Sequence, residues 1–171
     1  MQRNAVLIGL LMSLLVVSSN SLSKTYQGNE RAGLAKAVTE AKVSLEQGVS
    51  ASVQVGKPIS AKFEIEDGEL QLSVYTAKGD TFSEVVVDTN TEKVARTEPT
   101  TSGGDFTAAK AQSEVMSKAK QSLRATLGKV LKGNPGFRAV SVFPSLKDGH
   151  PIAEVTLVKG DEWKTVSEKL D

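Results

Sequence analysis

The turn Lys78-Gly79-Asp80, with Phe82 close behind it, recurs 81 positions on as Lys159-Gly160-Asp161 with Trp163. Asp67-Gly68 recurs at the same offset as Asp148-Gly149, and Gly56-Lys57-Pro58 recurs 77 positions on as Gly133-Asn134-Pro135. An insertion around the first hairpin loop reconciles the two offsets, since PSLKDGHP in the later copy stands where EDGE stands in the earlier one. On the stretches before them, Ala41-Lys42 and Leu45 match Ala119-Lys120 and Leu123. Landmarks in a fixed order at fixed spacing mark an internal repeat. The chain must therefore fold as something that one such unit can build twice.

The unit is legible from its periods. Glu30 to Gln47 is free of Pro, and Leu34, Ala37, Val38, Ala41 and Leu45 recur at steps of three and four, an amphipathic helical stripe with Asn29 as a cap and Gly48 as a stop. The period then drops to two. Ile59, Ala61, Phe63 and Ile65 alternate with polar residues, Asp67-Gly68 supplies a hairpin turn, and Leu70, Leu72 and Val74 alternate again. Thr81 to Asp88 makes a third strand. After EPTTSGGD, a linker by composition over 98–105, Phe106 to Lys132 reads as a second helix with Asp105 as its cap. FRAVSVF, PIAEVTLV and EWKTVSE follow as three more strands. The expectation is an α+β chain of two tandem units, 24–97 and 106–171, each with one helix packed on a three-stranded antiparallel β-meander.

Residues 1–23 differ from the rest. Arg3 and the amino terminus precede the apolar run Ala5 to Val17, and small and polar residues follow it, the layout of a secretory signal peptide. The run falls short of the roughly 20 residues that span a bilayer. An uncleaved anchor is the alternative, and only then would the chain meet a membrane. The expected location is therefore export to the periplasm or the extracellular space. The chain has no Cys, which removes disulfides, thiolate chemistry and acylation at a lipoprotein-type cysteine.

The first unit resembles the PepSY domain, a small helix-plus-sheet module of exported bacterial proteins. VVVDTNTEKV carries the resemblance most specifically: Val87, Asp88, Thr91 and Val94 fit the family's closing pattern, and Glu92 stands where the family usually has Gly. A glycine there would serve a turn with positive φ, so the substitution implies a reshaped turn or a lost hairpin. The second unit, which ends at VSEKLD, resembles a degenerate copy. The resemblance implies a module that restrains or regulates peptidases of the bacterial envelope.

Catalytic chemistry finds little to work with. The single His, His150, sits between Gly149 and Pro151 in a turn, which leaves a Ser-His-Asp arrangement without a placed base. One His and no Cys give no metal set, and the Asp residues are scattered turn and cap positions. Gly103-Gly104 lacks the Lys-Ser/Thr of a phosphate loop. No catalytic residue, metal ligand or cofactor is expected, and nucleic acid is not an expected partner. Lys110, Lys118, Lys120, Arg124, Lys129 and Lys132 give the second helix a basic face, either simply solvated or suited to an anionic partner.

The candidate binding residues are aromatic. Phe82 and Trp163 begin equivalent strands and either cover the end of a core or anchor an interface. Tyr75 falls on the side of its strand away from Leu72 and Val74, the face expected to be free of helix. The functional expectation is a non-enzymatic protein that binds a peptidase or another envelope protein by adding a strand at a sheet edge. The alternative is a cleft between the units for a small ligand, lipid or polymer.

Overall fold

At two hairpins the repeat appears in the backbone itself. Asp67 and Gly68 take φ of 51° and 81°, and Asp148 and Gly149 take 53° and 80°, the doubly positive turn that matches the twist of a tight β-hairpin. The computed structural model describes residues 21–171, with side chains from Gly28 onward; the signal-peptide expectation falls mainly on residues 1–20, outside the described residues. The elements are α1 (Ser21–Glu40), α2 (Leu45–Ser52), β1 (Lys57–Glu66), β2 (Glu69–Lys78), β3 (Thr81–Val87) and β4 (Val94–Pro99). Then follow α3 (Gly103–Lys118), α4 (Leu123–Lys132), β5 (Arg138–Lys147), β6 (His150–Lys159) and β7 (Glu162–Lys169).

The chain is α+β, and among the described residues the strands form one antiparallel sheet of seven in the order β4-β3-β2-β1-β5-β6-β7. The expectation of two separate three-stranded meanders needs correction. The N-terminal half of the sheet has a fourth strand, β4, whose last two residues, Glu98 and Pro99, fall in the predicted linker. The halves join where β1 pairs with β5, Ala61 opposite Val142 and Lys62 opposite Ser141.

The register defines two faces, because directly paired residues point the same way. One row across all seven strands runs Thr97, Val85, Val74, Ala61, Val142, Val155 and Val166, and its five central members are fully buried. The adjacent row points to the other face and reads Arg96, Val86, Ser73, Lys62, Ser141, Thr156 and Thr165. The apolar face carries α2 and α4, which touch each other. Gly48 lies directly over Leu72, so it is a packing glycine inside α2 rather than the helix stop that the sequence predicts.

Each predicted long helix is in fact two, and a serine explains each break. Ser44 accepts from the Gln47 N–H while the Gln47 side chain accepts from the Ser44 N–H, a complete capping box that starts α2. Ser122 starts α4 by accepting from the Ala125 N–H. Asn29 and Asp105, predicted as caps, lie inside α1 and α3. The first helix of each pair then packs on the polar face of the sheet, so helices cover both faces and not one. Phe82 and Phe106 meet edge to face with ring centroids 5.7 Å apart, and Ser60 donates to Gln112 Oε1 at 2.7 Å, which places α3 there. Arg31 stacks over Trp163 and the Arg138 guanidinium donates to the Thr39 carbonyl, which places α1 there too.

The two helices on this face cross the seam in opposite senses. The start of α3 lies over Phe82, Tyr75 and Ser60 of the N-terminal half, although β5 and β6 follow it in the chain. Helix α1 lies against Trp163, Gly160, Asp161 and Arg138 of the C-terminal half, although β1 to β4 follow it. Both helices straddle the seam: α3 reaches β1, β2 and β3 as well as β5 and β6, and α1 reaches β1 and β2 as well as β5 and β6.

Candidate functional site

A seven-stranded open sheet leaves two edges, and their local chemistry differs. Strand β4 is blunted: Ala95 is the extra residue of a bulge opposite Val86 and Val87, Arg96 and Glu98 pair along its surface at 2.9 Å, and Pro99 closes it. Bulges, surface charge and proline are the devices that keep an edge from pairing further. Strand β7 pairs with β6 residue by residue from Glu162 to Lys169 without a register shift. The Leu170 N–H donates inward, to the Pro151 carbonyl at 2.9 Å. Backbone groups in a strand alternate in direction, so Trp163, Thr165, Ser167 and Lys169 direct their N–H and C=O groups away from the sheet. Thr165 and Ser167 are exposed. β7 is the edge along which an extended segment can lie.

The flanks of that edge are built by helices. On the polar face Trp163 is half-buried beneath the Arg31 guanidinium, 4.9 Å from its ring centre. On the apolar face Lys129 of α4 pairs with Glu168, and the Lys164 ammonium sits 3.8 Å from the centre of the Phe137 ring. Trp163 is therefore the one predicted aromatic that stands at an open strand edge. Phe82 and Tyr75 do not join it.

Alternation does place Tyr75 opposite to Leu72 and Val74, as the sequence predicts, but that face is not free of helix. Its ring lies under α3, in a small cavity of about 90 Å³ lined by Ser60, Lys62, Asp105, Ala109, Gln112 and Phe143. Burial pushes the Tyr75 phenol well up, and the carboxylate of Glu84 adds to the effect. Phe82 is 7% exposed and packed on Phe106, a core residue. What the sequence could not supply is the α3 crossing, because the helix that covers both rings arrives from the far side of the predicted linker.

Near these rings lies a set of charges with a floor of buried serines. Lys62 bonds Glu64 at 2.6 Å, Ser73 donates to Glu64 at 3.2 Å, and Arg96 donates to Gln71 at 3.0 Å. Burial raises the Glu84 carboxyl above its ordinary range, while a hydrogen bond with Ser73 works against the rise. Every buried polar side chain here has a partner among the described residues, so the cluster is a satisfied network.

At the seam a depression of about 280 Å³ is lined by Lys42, Ser44, Gln47, Leu131, Phe137 and Arg138, at the lower limit of ordinary ligand pockets. Among the described residues no group of His, Cys, Asp or Glu could hold a metal ion, and no helix is long and apolar enough to cross a membrane. His150 lies in its predicted turn and reaches Asp171 at 3.0 Å.

No family model matches the chain, and no curated protein matches it. Among solved structures it is similar to a candidate lipoprotein from Clostridium difficile 630, at 10% sequence identity and a TM-score of 0.40, over 70% of this chain and 79% of that one.

Proposed function

We propose that this chain is an exported, non-enzymatic binding protein built from a duplicated PepSY-like unit. In this reading it restrains an envelope or secreted peptidase by taking an extended segment of it along β7. The observation that carries the proposal is the unbulged β7 edge, with outward backbone groups at Trp163, Thr165, Ser167 and Lys169. Main-chain hydrogen bonds give such a contact its affinity, and pockets for alternate side chains give it selectivity. Here Trp163 on one face and Val166 with Lys164 on the other would meet alternate residues of the segment. The duplicated unit is supported by contacts that recur at the offsets of the sequence repeat. Val43 N–H donates to the Thr89 carbonyl and Gln121 N–H to the Leu170 carbonyl, at matching places in the two copies.

The experiment is a titration of thermolysin-like peptidase activity with residues 24–171, with the chain confirmed intact by mass after each reaction. Stoichiometric loss of activity is expected. Thr165→Pro removes one outward N–H and leaves the pairing with β6 in place, so it should fold normally and weaken inhibition at least tenfold. Degradation of the chain with no loss of peptidase activity would remove this class of target.

A further inference from the structure

On the apolar side of the sheet β7 presents Glu162, Lys164, Val166 and Glu168, and the charges along it are unevenly matched. Glu168 is paired with Lys129 of α4. At the other end two ammonium groups converge on one ring, those of Lys159 and Lys164 standing 5.7 and 3.8 Å from the centre of Phe137. Gly136 leaves room for the first of them, because a Cβ there would lie 3.2 Å from the Lys159 Nζ. A ring face attracts a cation but carries no net charge to cancel it. Among the described residues neither lysine forms an ion pair, with Glu162 or with any other carboxylate. The start of β7 therefore gathers positive charge that no carboxylate of the described chain matches.

We propose that the segment taken along β7 carries an acidic side chain opposite Lys164, preceded two positions earlier by an apolar one opposite Val166. This rests on the reading of β7 as a strand acceptor and names the chemistry of what it accepts. The direction follows from the molecule's own precedent: every described strand pair is antiparallel, and β3, which stands in its half of the sheet where β7 stands in the other, receives β4 antiparallel on its outer side. The intimacy follows from the backbone. Trp163, Thr165 and Ser167 direct their polar groups outward, so Lys164 and Val166 face a partner at non-hydrogen-bonded sites, where opposed side chains approach most closely. The register follows from charge. Shifted toward the start of β7 the acid meets Glu162, and shifted the other way it meets Val166 and then Glu168. Only opposite Lys164 does it find two cations, one from β6 and one from β7.

The probes are two acetylated, amidated peptides, Ser-Thr-Val-Thr-Glu-Thr-Ser and its counterpart with Lys in place of Glu, whose blocked ends leave one side chain as the only charge. Each is titrated into the full chain, with the emission of Trp163, the only Trp, as the readout. The Glu peptide should bind about fivefold more tightly than the Lys peptide, the worth of an attractive against a repulsive cross-strand pair. The preference should fade at high salt. Lys164→Glu should invert it, while Thr165→Pro should weaken both peptides alike. Equal binding of the two peptides, lost in Thr165→Pro, would overturn the acidic requirement and leave strand addition standing. Binding of neither would overturn both. A dimer in sedimentation that excess Glu peptide does not dissociate would put a second copy along β7 and overturn the proposal.

Discussion

Lys57, the first residue of β1, donates its ammonium to the carbonyl oxygen of Met116 in the last turn of α3 at 2.9 Å. Arg138, which opens β5 as Lys57 opens β1, donates to the carbonyl of Thr39 and also to that of Val43 at 3.3 Å; the two strands lie 81 residues apart throughout, so the insertion that the sequence places at the first hairpin precedes the strand instead. Both contacts run from the first residue of a strand to the last turn of a helix on the polar face, where helical carbonyls lack partners of their own. Burial lowers the Arg138 pKa, which leaves the group charged at any ordinary pH. Arg138→Ala leaves two carbonyls to find water and should cost about 1–3 kcal/mol, against about 1 kcal/mol for Lys57→Ala. Urea unfolding of both variants checks the order, and equal losses would refute the idea that the second carbonyl matters.

Two glycines should respond to alanine in opposite directions. A Cβ at Gly48 would press on the side chain of Leu72, which is fully buried and has little room to turn. Gly48→Ala should therefore destabilise by about 1–3 kcal/mol, even after the gain in helix propensity. A Cβ at Gly33 meets nothing within 4 Å. Gly33→Ala should stabilise α1 by up to about 1 kcal/mol. Thermal unfolding followed by circular dichroism separates the two.

Glu92 takes φ of 62°, so the turn that the sequence expected to be reshaped or lost is kept, with a non-glycine residue in the left-handed region. The Asp88 carboxylate holds it by accepting from the Asn90 and Thr91 N–H groups at 2.9 and 2.8 Å, and Asp88 N–H donates to the Lys93 carbonyl. The hairpin into β4 survives. Glu92→Gly should relieve strain of about 1 kcal/mol, less the exposed hydrogen bond from Gln47. A variant less stable than the parent in urea would show that the Gln47 contact outweighs the backbone.

The strands with one buried face were legible because alternation survives wherever one side of a strand meets a core. Ile59 to Ile65, Leu70 to Val74 and the Asp-Gly turns fall where the sequence puts them. Strand β4 was not, because all but one of its residues are exposed and VARTEP carries no period to read. The helix breaks were written in Ser44 and Ser122 but masked by apolar spacing that continues through them. The crossing of α1 and α3 was not legible at all. Periodicity says which face of a helix is apolar, not which strands it crosses. That is why Tyr75 could be assigned a face correctly and yet be taken for an uncovered ring.

The pH dependence of stability should show a maximum on the acid side of neutrality. Burial raises the Glu84 pKa above its ordinary value near 4.5, so between 4.5 and that raised value the folded chain binds more protons than the unfolded chain. Stability contributed by this group therefore falls as pH rises through the window and is lower at neutral pH. Asp88 acts in the opposite sense: hydrogen bonds from Asn90 and Thr91 lower its pKa below 3.8, as the hydrogen bond with His150 does for Asp171. Their contribution is present above 3.8 and is lost as pH falls through the lowered values. Denaturant midpoints should accordingly rise as pH falls from 7 toward 4.5 and drop below pH 3.8. Glu84→Gln removes the charge that burial penalises and should flatten the upper limb while leaving the lower limb intact. A variant that keeps the full slope above pH 4.5 would assign that limb to another group.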